Sequence, residues 1–131
     1  HLSLFKSDCE EVVIAGFKSY DVQQLLKESQ LLITDYSSVF FDFAYMKKPV
    51  LYFQFDQERF FGEHYESGYF KFDTMGFGKV IKCEKLLCQG IVSVIERNFQ
   101  LEQIYKERMD SFFPLYDTKN CERIYNCIIN D

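Results

Sequence analysis

Tryptophan is absent from this chain, and proline, histidine and cysteine are few: two, two and five among 131 residues. The cysteines, Cys9, Cys83, Cys88, Cys121 and Cys127, form no CxxC pair, and neither His1 nor His64 stands at zinc-ligand spacing from them. An odd count with this spacing reads as reduced thiols in a cytosolic protein, small hydrophobes in or near a core. No apolar run approaches the ~20 residues that span a bilayer. No signal peptide is visible, and the abrupt opening at His1 reads as that of an excised fragment. Basic charge is in deficit, with 15 Lys and Arg against 20 Asp and Glu and a net charge of −5. A broad nucleic-acid surface needs a basic excess to displace counterions, so a nucleic-acid partner is not expected. Glycine-rich loops of Walker or dinucleotide type are missing. So is a clustered carboxylate pair of the kind that holds a metal, and the residues call for no metal and no cofactor.

What the chain does have is aromatic bulk, 15 Phe and 9 Tyr within a hydrophobic fraction of 47%. That composition excludes disorder and suits a single domain over residues 1–131. Short β-like runs alternate with helix-like periods through the first half. Val12 to Ala15 predicts a buried strand, and Asp21 to Ser29 a helix opened by a capping box of Asp21 with Gln24. Leu31 to Thr34 predicts a second strand, Ser38 to Met46 a helix stopped by the Lys47-Lys48-Pro49 run, and Val50 to Phe53 a third strand. Strands alternating with helices across short connections predict an α/β fold, a parallel sheet flanked by helices with right-handed crossovers. From Gln54 to Lys79 the periodicity fails, and an irregular aromatic segment is expected there. A fourth strand at Lys79 to Cys83 and helices at Glu84 to Phe99, Leu101 to Phe113 and Asn120 to Ile129 complete the pattern.

The junction Thr34-Asp35-Tyr36-Ser37-Ser38 stands where a buried parallel strand meets a helix. Ligands of open α/β sheets bind beyond the carboxyl ends of the strands, and a helix start offers free N–H groups to an anion. Two serine hydroxyls add donors without bulk, so the stretch has the makings of a diphosphate cradle. Asp42, four residues after Ser38, would repel a phosphate but accepts hydrogen bonds from ligand hydroxyls. Ser and Asp are also the preferred N-cap residues, so the same stretch is equally the start of a helix and nothing more.

The run LLITDYSSVFFDFAYMKKPVLYF, Leu31 to Phe53, resembles the ITDYSS-x-x-x-D segment of the CDP-glycerol glycerophosphotransferase family of teichoic acid synthesis. DVQQLL upstream, GYFKFD at Gly68 to Asp73 and FFPLYDTKNCERI at Phe112 to Ile124 resemble further family elements, so the likeness covers most of the chain. It implies a Rossmann-like fold, the C-terminal, donor-binding half of a two-domain GT-B transferase. The family's donor contacts fall on Ser37, Ser38 and Asp42, with Thr34, Asp35 and Tyr36 framing them. The implied reaction moves polyol phosphate from CDP-glycerol or a related CDP-polyol to a lipid-linked or polymer hydroxyl, releasing CMP. The implied location is cytoplasmic, peripheral at the inner face of the membrane, with an N-terminal domain of the same enzyme completing the cleft.

The family's upstream active-site histidine corresponds to His1, 20 residues before Asp21, a catalytic candidate on that ground alone. Where the family often carries Arg before its GFY element, this chain has Ser67, which weakens a cationic clamp in that loop. His64 reads as a surface histidine of the same loop. Two other readings stand beside the transferase: a GT-B or epimerase-like enzyme using a UDP-sugar, and a non-catalytic α/β interaction module.

Overall fold

A computed structural model of the chain describes residues 7–16, 18–63 and 68–130. Two compact units divide it, 1–30 and 31–131. In the first, helix α1 (Val22–Glu28) opens on Asp21, whose carboxylate accepts from the Gln23 N–H at 2.9 Å. The reciprocal half of the expected capping box is not made, because the Gln24 amide donates to Glu28 one turn ahead. The strand expected at Val12 to Ala15 is also not formed. Those residues are irregular, with Val12, Val13 and Ile14 exposed. Apolar β-branching favours a strand only where a neighbouring strand takes up its N–H and C=O groups, and this segment has none among the described residues.

The second unit is built on three parallel strands, β1 (Leu32–Thr34), β2 (Val50–Phe53) and β3 (Gly78–Ile81), in the order β1-β2-β3. Leu32 pairs with Val50, and Val50 with Gly78, so β2 is the centre of the sheet. Its side chains alternate between two cores of different chemistry. Tyr52 faces an aromatic core, 5.2 Å from Phe40 and 5.1 Å from Phe72 between ring centroids. Leu51 faces an aliphatic one with Ile81 and Val94, flanked by Phe53, Leu87, Ile91 and Phe99. Helix α2 (Val39–Tyr45) buries Phe40, Phe43 and Ala44 on the first face, and α5 (Glu84–Glu96) covers the second through Val94. The unit therefore has the expected α/β layering, a small parallel sheet between helices.

Lys47 ends α2 at φ 56, the left-handed turn that lets the chain reverse toward Pro49 and β2. Its Nζ lies 2.6 Å from Asp110 on α6 (Gln103–Phe112), and this ion pair holds Asp110 below the usual carboxylate range. Residues expected to be irregular between β2 and β3 contain two short helices, α3 (Gln57–Glu63) and α4 (Phe72–Met75). α5 ends sooner than its apolar period suggests, because Asn98 and Phe99 adopt φ of 52 and 59. The chain closes with α7 (Asn120–Asn130), whose Ile124, Tyr125, Ile128 and Ile129 are exposed. All five cysteines are exposed, so the expectation that they fill or border a core is overturned. Cys121 and Cys127 lie on α7, no residue of which is buried, and Cys88 lies on the outer side of α5.

Candidate functional site

The strand β1 ends at Thr34, and the next four residues turn the chain into α2. Asp35 shapes that turn: its Oδ1 accepts from the Ser37 N–H at 2.9 Å. An Asx-type turn of this kind is what the side chain of Asp offers two residues ahead of itself. The Asp35 carbonyl is held from below by the Nε2 of Gln54, the first residue past β2, at 3.2 Å. Tyr36 points the other way. Its hydroxyl donates to Asp56 Oδ1 at 3.1 Å, and its ring stacks on Phe60 with centroids 3.7 Å apart and planes 7° from parallel. Burial, then the bond to Asp56, pushes the Tyr36 hydroxyl up to about 12.

Ser37 and Ser38 are left exposed. Ser38 stands at the N-cap position of α2 but already has helical φ and ψ of −65° and −10°, and its side chain makes no capping hydrogen bond. An N-cap residue that accepts from the N–H groups ahead of it sits in the extended region instead. The cap reading of Ser38 thus loses its main structural requirement. Asp35, Tyr36, Ser37 and Ser38 line a cavity of about 530 Å³ together with Phe60 and Phe72.

Asp42 is not among them. One turn further along α2, it lines a separate hollow of about 460 Å³ with Phe41, Tyr45 and the 112–115 segment. Thr34 is half-buried at the end of β1, paired with Tyr52, and supports the turn without lining the cavity. His1 and His64 lie outside the described residues. Two features are weaker than the sequence suggested. The Ser37 N–H is turned inward onto Asp35, and α2 is only seven residues long, so its dipole is short. Among the described residues the cavity wall also carries Asp35 and no basic side chain. The polar groups this turn leaves open are the exposed serine residues and the remaining backbone N–H groups at the start of α2.

Phe60, Phe72, Asp56 and Gln54 were not singled out from the sequence as parts of this site. The one available signal was Gln54, a polar residue directly after a buried run, at the carboxyl end where α/β sheets bind ligands. Among the described residues no three His, Cys, Asp or Glu side chains gather as a metal site, and no helix is long and apolar enough to cross a membrane.

Residues 4–130 match the family model of CDP-glycerol:poly(glycerophosphate) glycerophosphotransferases. The chain is 39% identical over 124 residues to the minor teichoic acid biosynthesis protein GgaB of Bacillus subtilis strain 168, covering 93% of this chain and 13% of that protein. It is 33% identical over 113 residues to the teichoic acid poly(glycerol phosphate) polymerase of the same strain, covering 86% of this chain and 15% of that one. A poly(ribitol-phosphate) polymerase of Bacillus spizizenii is 31% identical over 116 residues, covering 86% of this chain and 17% of it. The solved structure of the wall teichoic acid polymerase TagF, H548A, superposes with a TM-score of 0.71 at 23% identity, over 99% of this chain and 32% of that one. This last likeness speaks for the fold. The chain spans under a fifth of the length of these three relatives. The two polymerases' names differ in the polyol phosphate, glycerol in one and ribitol in the other, while the family model covers nearly the whole chain: this chain belongs to the CDP-glycerol:poly(glycerophosphate) glycerophosphotransferases.

Proposed function

We propose that residues 1–131 form the donor-binding domain of a teichoic-acid polyol-phosphate transferase, the C-terminal half of a GT-B enzyme, and that CDP-glycerol or a related CDP-polyol binds over Ser37 and Ser38. The observation that carries this reading is the pair of exposed serines on a cavity of about 530 Å³, with the Ser38 side chain not engaged as a cap, in a chain of this family. Serine hydroxyls and N–H groups donate to diphosphate oxygens, and such donors stabilise the charge that grows as CMP leaves. The acceptor hydroxyl, on a lipid-linked or polymer chain, attacks the β-phosphorus. Its proton passes to a histidine, a role for which His1 is this chain's candidate, beside groups of an N-terminal domain. Asp42, in the neighbouring hollow, accepts hydrogen bonds from hydroxyls of the donor's glycerol or ribose. The enzyme works in the cytoplasm at the inner membrane face, where such acceptors lie.

Calorimetric titration of the chain with CDP-glycerol, CDP-ribitol and UDP-sugars tests the reading. A CDP-polyol is expected to bind, and to bind less well once Ser37 and Ser38 are both alanine. A preference for UDP-sugars, or indifference to the double substitution, would overturn it.

A further inference from the structure

Gln54 is fully buried, and among the described residues it is the sole buried polar or charged side chain. Its position ties the carboxyl ends of all three strands together. Its N–H donates to the carbonyl of Ile81, the last residue of β3, at 2.8 Å. Its side-chain Nε2 donates to the carbonyl of Asp35, one residue past β1, at 3.2 Å. Its Oε1 is buried and has no hydrogen-bond partner among the described residues. Reversing the amide would bring Oε1 against the Asp35 carbonyl, acceptor against acceptor, so the orientation follows from chemistry.

A buried amide with one group unsatisfied is a poor choice for stability, since an apolar side chain of similar volume avoids the desolvation cost. Among the described residues the single bond the side chain makes falls on the turn that carries Ser37 and Ser38. We infer that Gln54 is a positioning residue for donor binding: its amide fixes the Asp35 carbonyl, and with it the Asp35–Ser38 turn that presents both serine hydroxyls to the cavity. This inference rests on the donor-binding reading above.

The test compares wild type with Gln54→Leu and Gln54→Glu by thermal unfolding and by titration with CDP-glycerol between pH 5 and 8. Gln54→Leu is expected to melt no lower than wild type yet bind about tenfold more weakly, because the turn loses its anchor while the interior loses an unsatisfied group. A merely structural residue would move both quantities together. In Gln54→Glu, burial raises the carboxyl pKa, so the neutral O–H donates to the Asp35 carbonyl at low pH. Its affinity is expected near wild type at pH 5 and falling toward pH 8, while wild type stays level. The glutamate profile also decides the matter should the leucine variant fail to fold. Wild-type binding with both variants unchanged and pH-independent would end the inference and leave the donor reading intact. Failure of the wild type to bind any CDP-polyol would remove both.

Discussion

The Tyr52 hydroxyl accepts a hydrogen bond from the Phe77 N–H at 3.2 Å, and both residues are completely buried. This joins the central strand to the residue just before β3, inside the aromatic core. Burial pushes the hydroxyl well above its ordinary range, so it stays protonated at any working pH. Tyr52→Phe keeps the ring and its edge contacts with Phe40 and Phe72 but strands the Phe77 amide without an acceptor. A loss of ~1–3 kcal/mol in urea unfolding is expected. An unchanged midpoint would show that the amide finds another partner.

Gly78 faces Val50 across the β2–β3 ladder, and a Cβ built on it would lie 1.8 Å from the Val50 carbonyl oxygen. The obstacle is backbone held by the sheet, so it cannot turn aside. Gly78→Ala is expected to cost at least ~1–3 kcal/mol, the range of overpacked interiors, and to lower the yield of folded protein. Gly90 on α5 provides the contrast. Its Cβ would meet the Ile81 Cδ1 at 3.0 Å, the movable end of a side chain. There the helix propensity gained by alanine, about 1 kcal/mol, offsets the repacking, and Gly90→Ala is expected to unfold close to wild type.

These two sites also mark where the sequence is readable. Strands β1 and β2 were legible because LLIT and VLYF are apolar runs bounded by turn residues, and the helix between them implied parallel pairing. The turn at Asp35–Ser38 was legible as a candidate site because it follows such a strand. The walls of its cavity were not: Phe60 and Phe72 come from segments more than 20 residues away, and local periodicity carries no information about that contact. α3 and α4 were hidden because QERFFGE and FDTM are too short to show a helical period amid so many aromatics. Val12 to Ala15 failed in the opposite sense, a good local pattern without a partner strand among the described residues.

Tyr36 gives a spectroscopic handle on the site. Its hydroxyl is raised from an ordinary value near 10 to about 12, by burial first and then by the bond to Asp56. A folded-state pKa above the unfolded one means the stabilisation is complete below about 10 and is lost as pH climbs through about 12. Ultraviolet titration of tyrosinate should therefore show, beside the still later Tyr52, a group ionising near 12 that vanishes in Tyr36→Phe. The same substitution removes the Asp56 bond, at ~1 kcal/mol, while the stack on Phe60 remains. If the group lost in Tyr36→Phe is one that ionises near 10, Tyr36 is not held as described.

Ser38 and Asp21 occupy the same formal position, each preceding the first residue of a seven-residue helix, yet their side chains behave differently. Asp21 is extended and its carboxylate accepts from the Gln23 N–H, so Asp21→Ala should cost ~1 kcal/mol of α1 stability, seen as faster amide exchange along Val22–Leu25. Ser38 is helical and caps nothing, so Ser38→Ala should leave unfolding within ~0.5 kcal/mol of wild type. Ser38 lines the cavity instead, and the substitution is expected to weaken CDP-glycerol binding several-fold at unchanged stability. If Ser38→Ala instead destabilises the fold as much as Asp21→Ala does, the hydroxyl is a cap after all. Its exposure on the cavity would then say nothing about a ligand.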